Sequence, residues 1–566
     1  MAGNDCVDMF AIVARVRPLV RAEIEKGWRV SAEIDEDRNV VILRKSGMRK
    51  TFKCDHVHGQ DSATKSVFNA NVAPLCDKTF DGYNTAVLLH GQTGAGKSYT
   101  GHALVNEAFR LIFAKIGAVQ NPKIRHFVSA SYFEIYNEEV VDLWSPDTLK
   151  NLARTPKSCV SFKCHPRHGV YGKRLVQCSV DSATTAESLL KMGKATGAVV
   201  ATSANMDRSR TSTCLSISLK RISKNKFGED EEVVSTMKFV ELPGSDMKGT
   251  MQGANTDRLR TTCKIDTQLS AFKKVVKTLA DNATKYAHNP RPVPYDQSPL
   301  TLFLKDALGG NAKTLVMCMI APSDGDFDDS MATLGFADKV MRYVRNRAVV
   351  ATGVRKGMIK SLKSEIEFLA DEALAIDKEI ESAKNIASLD VPTGDEKTGE
   401  GEYTYLEGIS PQERAALAAE RREKFEKLDV KRSLAIERME EDKYLLDIAS
   451  MQWKEVVEGT DIQTETQSTQ LENLGVTYLP GMRKLKTTPH LITLCRDPSM
   501  TGALTFMLEK GDTTIGRDKG ISLEGLGIDH DQGTITNKDG VLTFVNGGGA
   551  TTFVNGAQIF LYDVPA

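Results

Sequence analysis

The chain has 566 residues with 74 basic and 74 acidic side chains, so it is balanced in charge and long enough for several domains, since single cores rarely grow past about 250–300 residues. That balance argues against a bulk polyelectrolyte partner such as nucleic acid, while leaving room for a local basic surface. The ten cysteines show neither CxxC pairs nor Cys/His spacing, so no zinc module or disulfide framework is suggested; with no long apolar run and no signal-like start, the expectation is a cytosolic protein without a membrane segment.

Along residues 9–348, β-branched or aromatic runs such as Thr85–Leu89, Phe127–Tyr132 and Thr314–Ile320 alternate with helical patterns such as Ala186–Met192 and Leu269–Leu279. The alternation predicts an α/β domain over residues 1–348, a central mixed sheet flanked by helices. After Asn346 the pattern turns helical. Ile359, Leu362, Ile366, Leu369, Ala373, Ile376, Ile380 and Ala383 make a seam of alternating three- and four-residue spacing within a neck segment, 349–385. Two readings stay open there: weak pairing of two chains into a homodimer, and packing of the helix on its own head.

Residues 386–409 read as a Gly-, Thr- and acid-rich linker. A second helix opens at Ser410-Pro411-Gln412-Glu413, a capping box with proline at the first helical position, and is expected to run over 410–457 as a stalk or docking helix. Residues 458–487 read as a further linker. From 488 to 566, β-like runs return between Gly-rich turns and predict a small all-β sandwich, left incomplete at Ala566.

The sharpest local signal is Gly91-Gln92-Thr93-Gly94-Ala95-Gly96-Lys97-Ser98, a full GxxxxGK[ST] match between an apolar run and a helical pattern. Glycines let backbone N–H groups turn inward on phosphates at a helix N-terminus. Lys97 is expected to reach the β- and γ-phosphates of a nucleotide, and the Ser98 hydroxyl to ligate Mg2+.

Here the residues resemble a family. Gly82-Tyr83-Asn84 followed by Gly91–Thr100 resembles the P-loop segment of kinesin motors, and Arg15-Val16-Arg17-Pro18 is similar to their RxRP strand. Phe133–Glu138 resembles EIYNE, Val293-Pro294-Tyr295 with Ser298, Leu300 and Thr301 resembles VPYRDSKLT, Asp306–Asn311 resembles DSLGGN, and Thr333–Ala337 resembles TLRYA. The resemblance implies a microtubule-stimulated ATPase on a P-loop NTPase fold. Arg15 and Pro18 would flank the adenine with His90 and Tyr99 nearby, while Gly91, Gln92, Thr93, Gly94, Ala95, Gly96, Lys97 and Ser98 would cradle the phosphates of ATP.

The resemblance also implies two switch segments. Asn205–Ser212 stands for NxxSSRSH, placing Ser209 at the Mg2+; Glu241–Asp246 stands for DLAGSE, placing Gly244 at the γ-phosphate, with Arg210 and Asp246 as the ion pair that closes the site. Five positions depart from the family pattern: Arg208 for Ser, Glu241 for Asp, Pro243 for Ala, Asp246 for Glu and His90 for Tyr. Together they predict slowed hydrolysis. Toward the filament, Lys264, Lys273, Lys274 and Lys277, joined by Lys285 and Arg291, would supply the positive face; Asp296 and Pro299 replace an Arg and a Lys, which predicts weaker affinity.

The head lies first in the chain, and Val344–Val350 follows it, an order that resembles plus-end-directed kinesins. Met358–Ile366 resembles the neck helix of the third kinesin family. Thr488–Leu491, Asp497-Pro498 and Ile515-Gly516-Arg517 resemble the entry into that family's forkhead-associated (FHA) domain. The implied function is transport of cargo or vesicles along microtubules in the cytoplasm, with cargo or an adaptor held by the C-terminal region; the alternative is a non-motile, nucleotide-gated microtubule tether or scaffold. FHA domains read phosphothreonine with an Arg and a Ser-x-x-His pair. Arg517 is present, but Asp529 and Gln532 stand in place of the pair, and a carboxylate repels phosphate, which favours scaffolding or dimerisation.

Overall fold

The apolar runs of the first 348 residues become the central strands of one sheet. The computed structural model describes residues 8–150, 160–165, 169–203, 210–224, 230–245, 256–339, 341–350, 355–388, 411–451, 453–474, 476, 489–493, 504–517, 519–523, 528–538, 540–547, 550–554, 557–559 and 564–565. In chain order the head supplies β1 (Ala11–Val16), α1 (Arg21–Glu25), β2 (His56–His58), β3 (Thr85–Gly91), α2 (Lys97–Ala118), β4 (Arg125–Tyr136), β5 (Cys178–Val180), α3 (Ala183–Ser203), β6 (Ser212–Lys224), β7 (Asp230–Glu241), α4 (Thr256–Thr284), β8 (Lys313–Ile320) and α5 (Phe327–Lys339).

The strands lie in the order β5-β4-β6-β7-β3-β8-β1-β2, with Glu139–Asp142 pairing β4 off this path. From β7 to β2 the neighbours run parallel, and from β5 to β7 antiparallel, so the sheet is mixed as expected. Every residue of β3 is buried because helices cover both faces. Val87 and Leu89 join the cluster that holds Leu104, Ala108 and Ile112 of α2, while Ala86 and Leu88 join that of Phe272 and Val276 of α4. Each such leucine contributes about 1.5–3 kcal/mol of burial. The carboxyl ends of β3 and β7 come side by side, Glu241 in register with Leu89, and ligands of open parallel sheets bind at such an edge.

Residues 353–455 form a unit of their own, in which α6 (Arg355–Ser388) pairs with α7 (Pro411–Ser450). Ion pairs Arg438–Glu365 at 2.8 Å and Lys431–Glu372 at 3.3 Å show that the two helices are antiparallel. The neck seam is buried there, with Leu362, Leu369 and Ile376 all nearly inaccessible. Its covering surface is therefore α7 of the same chain, a third possibility beside the head and a second chain.

The stretch from 458, read above as a linker, is helical: α8 (Trp453–Asn473) lies against the head. The Ser179 amide of β5 donates to Thr460 Oγ1 at 2.8 Å, and Gln467 Nε2 donates to the Leu143 carbonyl at 2.7 Å and to Thr196 Oγ1 at 2.8 Å. A helix thus covers the free edge of the main sheet. Beyond it a small β module follows: β9 (Gly511–Gly516), β10 (Gly533–Lys538) and β11 (Val541–Asn546) pair antiparallel in that order, over buried Leu508, Ile515, Ile535 and Phe544.

Candidate nucleotide site

The loop between β3 and α2 is shaped by its glycines. A Cβ on Gly91 would stand 2.3 Å from the Met319 carbonyl oxygen, at a φ of +154°, so no larger residue fits. Gly94 and Gly96 face open space but hold φ of +78° and +90°, left-handed angles that glycine adopts without strain. Gly96 starts α2 without a side-chain cap, which leaves first-turn N–H groups available to an anion.

Lys97 is buried, and its ammonium donates to the carbonyls of Gly91 at 3.0 Å and Gln92 at 2.9 Å. Ser98 Oγ donates to Glu241 Oε1 at 2.6 Å, so the longer carboxylate reaches across from β7 directly onto the serine. The second switch segment then runs along the loop: the Leu242 amide donates to the Leu89 carbonyl at 3.0 Å and the Ser245 amide to that of Gly91 at 3.2 Å, with Gly244 half-buried between. Gln92 lies buried within 3.4 Å of the Ser330 hydroxyl on α5, and Ala95 is buried under the loop.

On the rim, Pro18, Thr93, Gly94 and Tyr99 are exposed, the tyrosine by 70%. Arg15 is not on the rim. Its guanidinium donates to Thr100 Oγ1 and Thr64 Oγ1, both at 2.8 Å, and to the Ser62 carbonyl; burial pushes its pKa down, opposed by Tyr99. It ties the 62–64 loop to the first turn of α2. His90 corrects the expectation drawn from resemblance. It is completely buried beneath the loop, edge-to-face with Phe336 at 5.9 Å, and offers a ligand no surface. Neither of its ring nitrogens has a hydrogen-bond partner, and burial, aided by the Lys273 and Lys97 charges, pushes its pKa down to about 3.

Ser209 and Asp246, with Arg208, lie outside the described residues; Arg210 is half-buried just ahead of β6. Lys264 lies in α4, its side chain outside the described set. Lys273, Lys274 and Lys277 are exposed on α4. Lys274 reaches Gln297 Oε1 at 3.2 Å, and the charge of Lys273 is felt at His90. Lys285 pairs with Asp281 at 2.9 Å, and Arg291 stacks on Tyr286 at 3.9 Å. The basic set thus occupies one helix and the loop after it, with Lys285 neutralised by its neighbour.

Sequence reasoning missed the partners of these groups. Arg17 and Glu23 form a bidentate pair against the P-loop, yet the residue before α1 is Val20, so no Ser or Thr cap signals that Glu23 turns back on it. Thr64 and Thr100 are visible only once the chain brings them to Arg15. Gln467 and Thr460 carried no signal, because a polar stripe on a helix normally faces water.

The Kinesin motor domain family matches residues 15–343. Kinesin-like protein KIF13A of Mus musculus is 28% identical over 95% of this chain and 29% of its own length; kinesin-like protein KIF14 of Homo sapiens is 27% identical over 95% of the chain and 31% of its own. The chain spans about a third of the length of the curated relatives it matches. Among solved structures, a fast kinesin aligns with a TM-score of 0.54 at 28% identity, over 61% of this chain and 94% of that one. A KIF14 dimer in its two-heads-bound state, with AMP-PNP and in complex with a microtubule, aligns at 0.53 and 25% identity, over 61% and 96%.

Proposed function

The chain belongs to the kinesin motor-domain family, and from that premise we propose that its head is a microtubule-stimulated ATPase that moves toward the filament plus end. The observation that carries the reading is the meeting of Lys97 and Ser98 at the start of α2 with Glu241 and Gly244 at the end of β7. A phosphate chain entering the loop would take over the Lys97 ammonium from the Gly91 and Gln92 carbonyls. Ser98 Oγ and the Glu241 carboxylate are hard oxygen donors of the kind that suits Mg2+. Mg2+ held there with ATP would neutralise charge on the β- and γ-phosphates. The chain's own part is to hold phosphate on backbone N–H groups and Lys97, and to bring Gly244 alongside through the Ser245–Gly91 hydrogen bond.

The exposed lysines of α4 support binding to an acidic filament. The order of head and then helical neck supports plus-end motion, with cargo or an adaptor held by the part of the chain beyond the neck in the cytoplasm. The β module with Arg517 supports an FHA-like scaffold. Gln532 at the phosphate-reading position is already engaged, accepting from the Asp529 amide at 3.0 Å and donating to Thr552 Oγ1 at 2.9 Å. The departures from the family pattern at Glu241, which reaches one methylene further onto Ser98, and at Pro243, which removes an N–H from the second switch segment, favour a second reading, a nucleotide-gated tether with slow hydrolysis.

Co-sedimentation of the full chain with microtubules tests filament binding. More protein should pellet with AMP-PNP than with ADP, and binding should weaken as salt rises. No pelleting in either nucleotide would end both readings.

A further inference from the structure

Arg17 follows β1 and lies beside the P-loop, though 77 residues separate it in sequence from the glycine it touches. Its Nε donates to the Gly94 carbonyl at 2.6 Å, and Nη1 donates to the Pro18 carbonyl at 2.8 Å. The fork of Nη1 and Nη2 grips Glu23, at 2.8 Å to Oε2 and 2.5 Å to Oε1. Glu23 is fixed in turn, since its Oε2 accepts from the Val20 amide at 2.9 Å. Burial alone would raise the Glu23 pKa, but the hydrogen bonds from Arg17 and Val20 outweigh it and the pKa falls below the ordinary carboxylate value. The side chains are only 15% and 8% exposed, so the pair is more than a solvated surface contact.

A trans peptide directs its C=O and N–H to opposite sides. With the Gly94 carbonyl drawn out to Arg17, the Ala95 N–H is turned to the loop's interior, where it approaches the Gln92 carbonyl that also accepts from Lys97. Gly94 has no Cβ and a φ of +78°, so sterics leave this peptide free to rotate, and the long 3.3 Å bond from the Ala95 N–H to the Gln92 carbonyl holds it more weakly than the 2.6 Å bond from Arg17. We propose that Arg17, braced by Glu23, is a positioning residue for the nucleotide: it sets the orientation of the Gly94–Ala95 peptide and couples Pro18 on the base side of the rim to the phosphate loop. A lysine would keep the charge but lose the planar fork that meets three acceptor groups at once.

The inference rests on the nucleotide-site reading above. The test is titration of the full chain with a fluorescent N-methylanthraniloyl ATP, alongside ATPase kinetics and nucleotide-free melting, for wild type, Arg17→Lys and Glu23→Gln. Both variants should bind the analogue about tenfold more weakly and raise KM to match, with kcat close to wild type and melting of Arg17→Lys little changed. Arg17→Lys that binds as wild type does overturns the proposal, as does a fall in kcat at unchanged KM. If Glu23→Gln fails to fold, the Arg17→Lys result decides alone. A wild-type chain that binds no analogue overturns the nucleotide site itself, a different outcome from equal binding by all three.

Discussion

Replacing His90 with phenylalanine should stabilise the head and flatten its response to acid. In the wild type both ring nitrogens are buried without partners, and a buried polar group left unsatisfied costs about 1–3 kcal/mol. Phenylalanine keeps a flat ring against Phe336 and removes both orphaned atoms, so a net gain of about 1 kcal/mol at pH 7.5 is expected after repacking. The acid response follows from linkage. His90 is held neutral down to about pH 3, whereas in the unfolded chain it protonates near the ordinary imidazole value of 6.5. The unfolded state therefore binds the extra proton below pH 6.5, and native stability falls as pH drops through that window. At pH 5.5 the loss from this one residue is about 1.4 kcal/mol, and it vanishes above pH 7.5.

Other groups also titrate there, and Asp142, which burial pushes up to about 7, works in the opposite direction. The informative quantity is thus the difference between variant and wild type, in which those groups cancel. Urea unfolding of both proteins at pH 7.5 and 5.5, followed by tryptophan fluorescence, measures it. The gap in favour of His90→Phe should widen by about 1.4 kcal/mol at the lower pH. Equal acid sensitivity in the two proteins would refute a buried neutral imidazole.

Two further perturbations probe the loop and the docked helix. Gly91→Ala should abolish nucleotide binding or folding, because its Cβ would sit 2.3 Å from the Met319 carbonyl; an alanine variant that binds the fluorescent ATP normally would contradict that packing. Gln467→Ala leaves the Leu143 carbonyl unpaired and should weaken α8 docking by about 1–3 kcal/mol. Hydrogen exchange in α8 should then rise about tenfold to a hundredfold, and unchanged protection would show that the helix does not depend on this contact.

The sequence revealed the loop readily because its chemistry is local. Glycines at the turns and a lysine and serine at the helix start must follow one another, so spacing alone exposes them. The central strands were legible for a related reason, since full burial demands unbroken apolar runs such as Ala86–Leu89. Long-range partners were not legible. Nothing near Arg17 points to Gly94, and the contact exists only because β1 and β3 flank β8 in one sheet. The seam from Ile359 to Ala383 announced a helix that needs a partner, but an a/d pattern does not say whether the partner is another chain or α7. His90 misled for the opposite reason: resemblance gave its neighbourhood, while only packing shows that it points beneath the loop. The docking face of α8 was hidden because Thr460 and Gln467 make hydrogen bonds where an apolar stripe was the signal sought.

The central claim is that Lys97 and its neighbours turn over ATP in response to a filament. ATP hydrolysis by the full chain, with and without microtubules and beside Lys97→Ala as background, tests it most directly. Turnover should rise many-fold with filaments in the wild type and stay at background in the variant. Filament binding without stimulated turnover would contradict the motor reading and leave the nucleotide-gated tether.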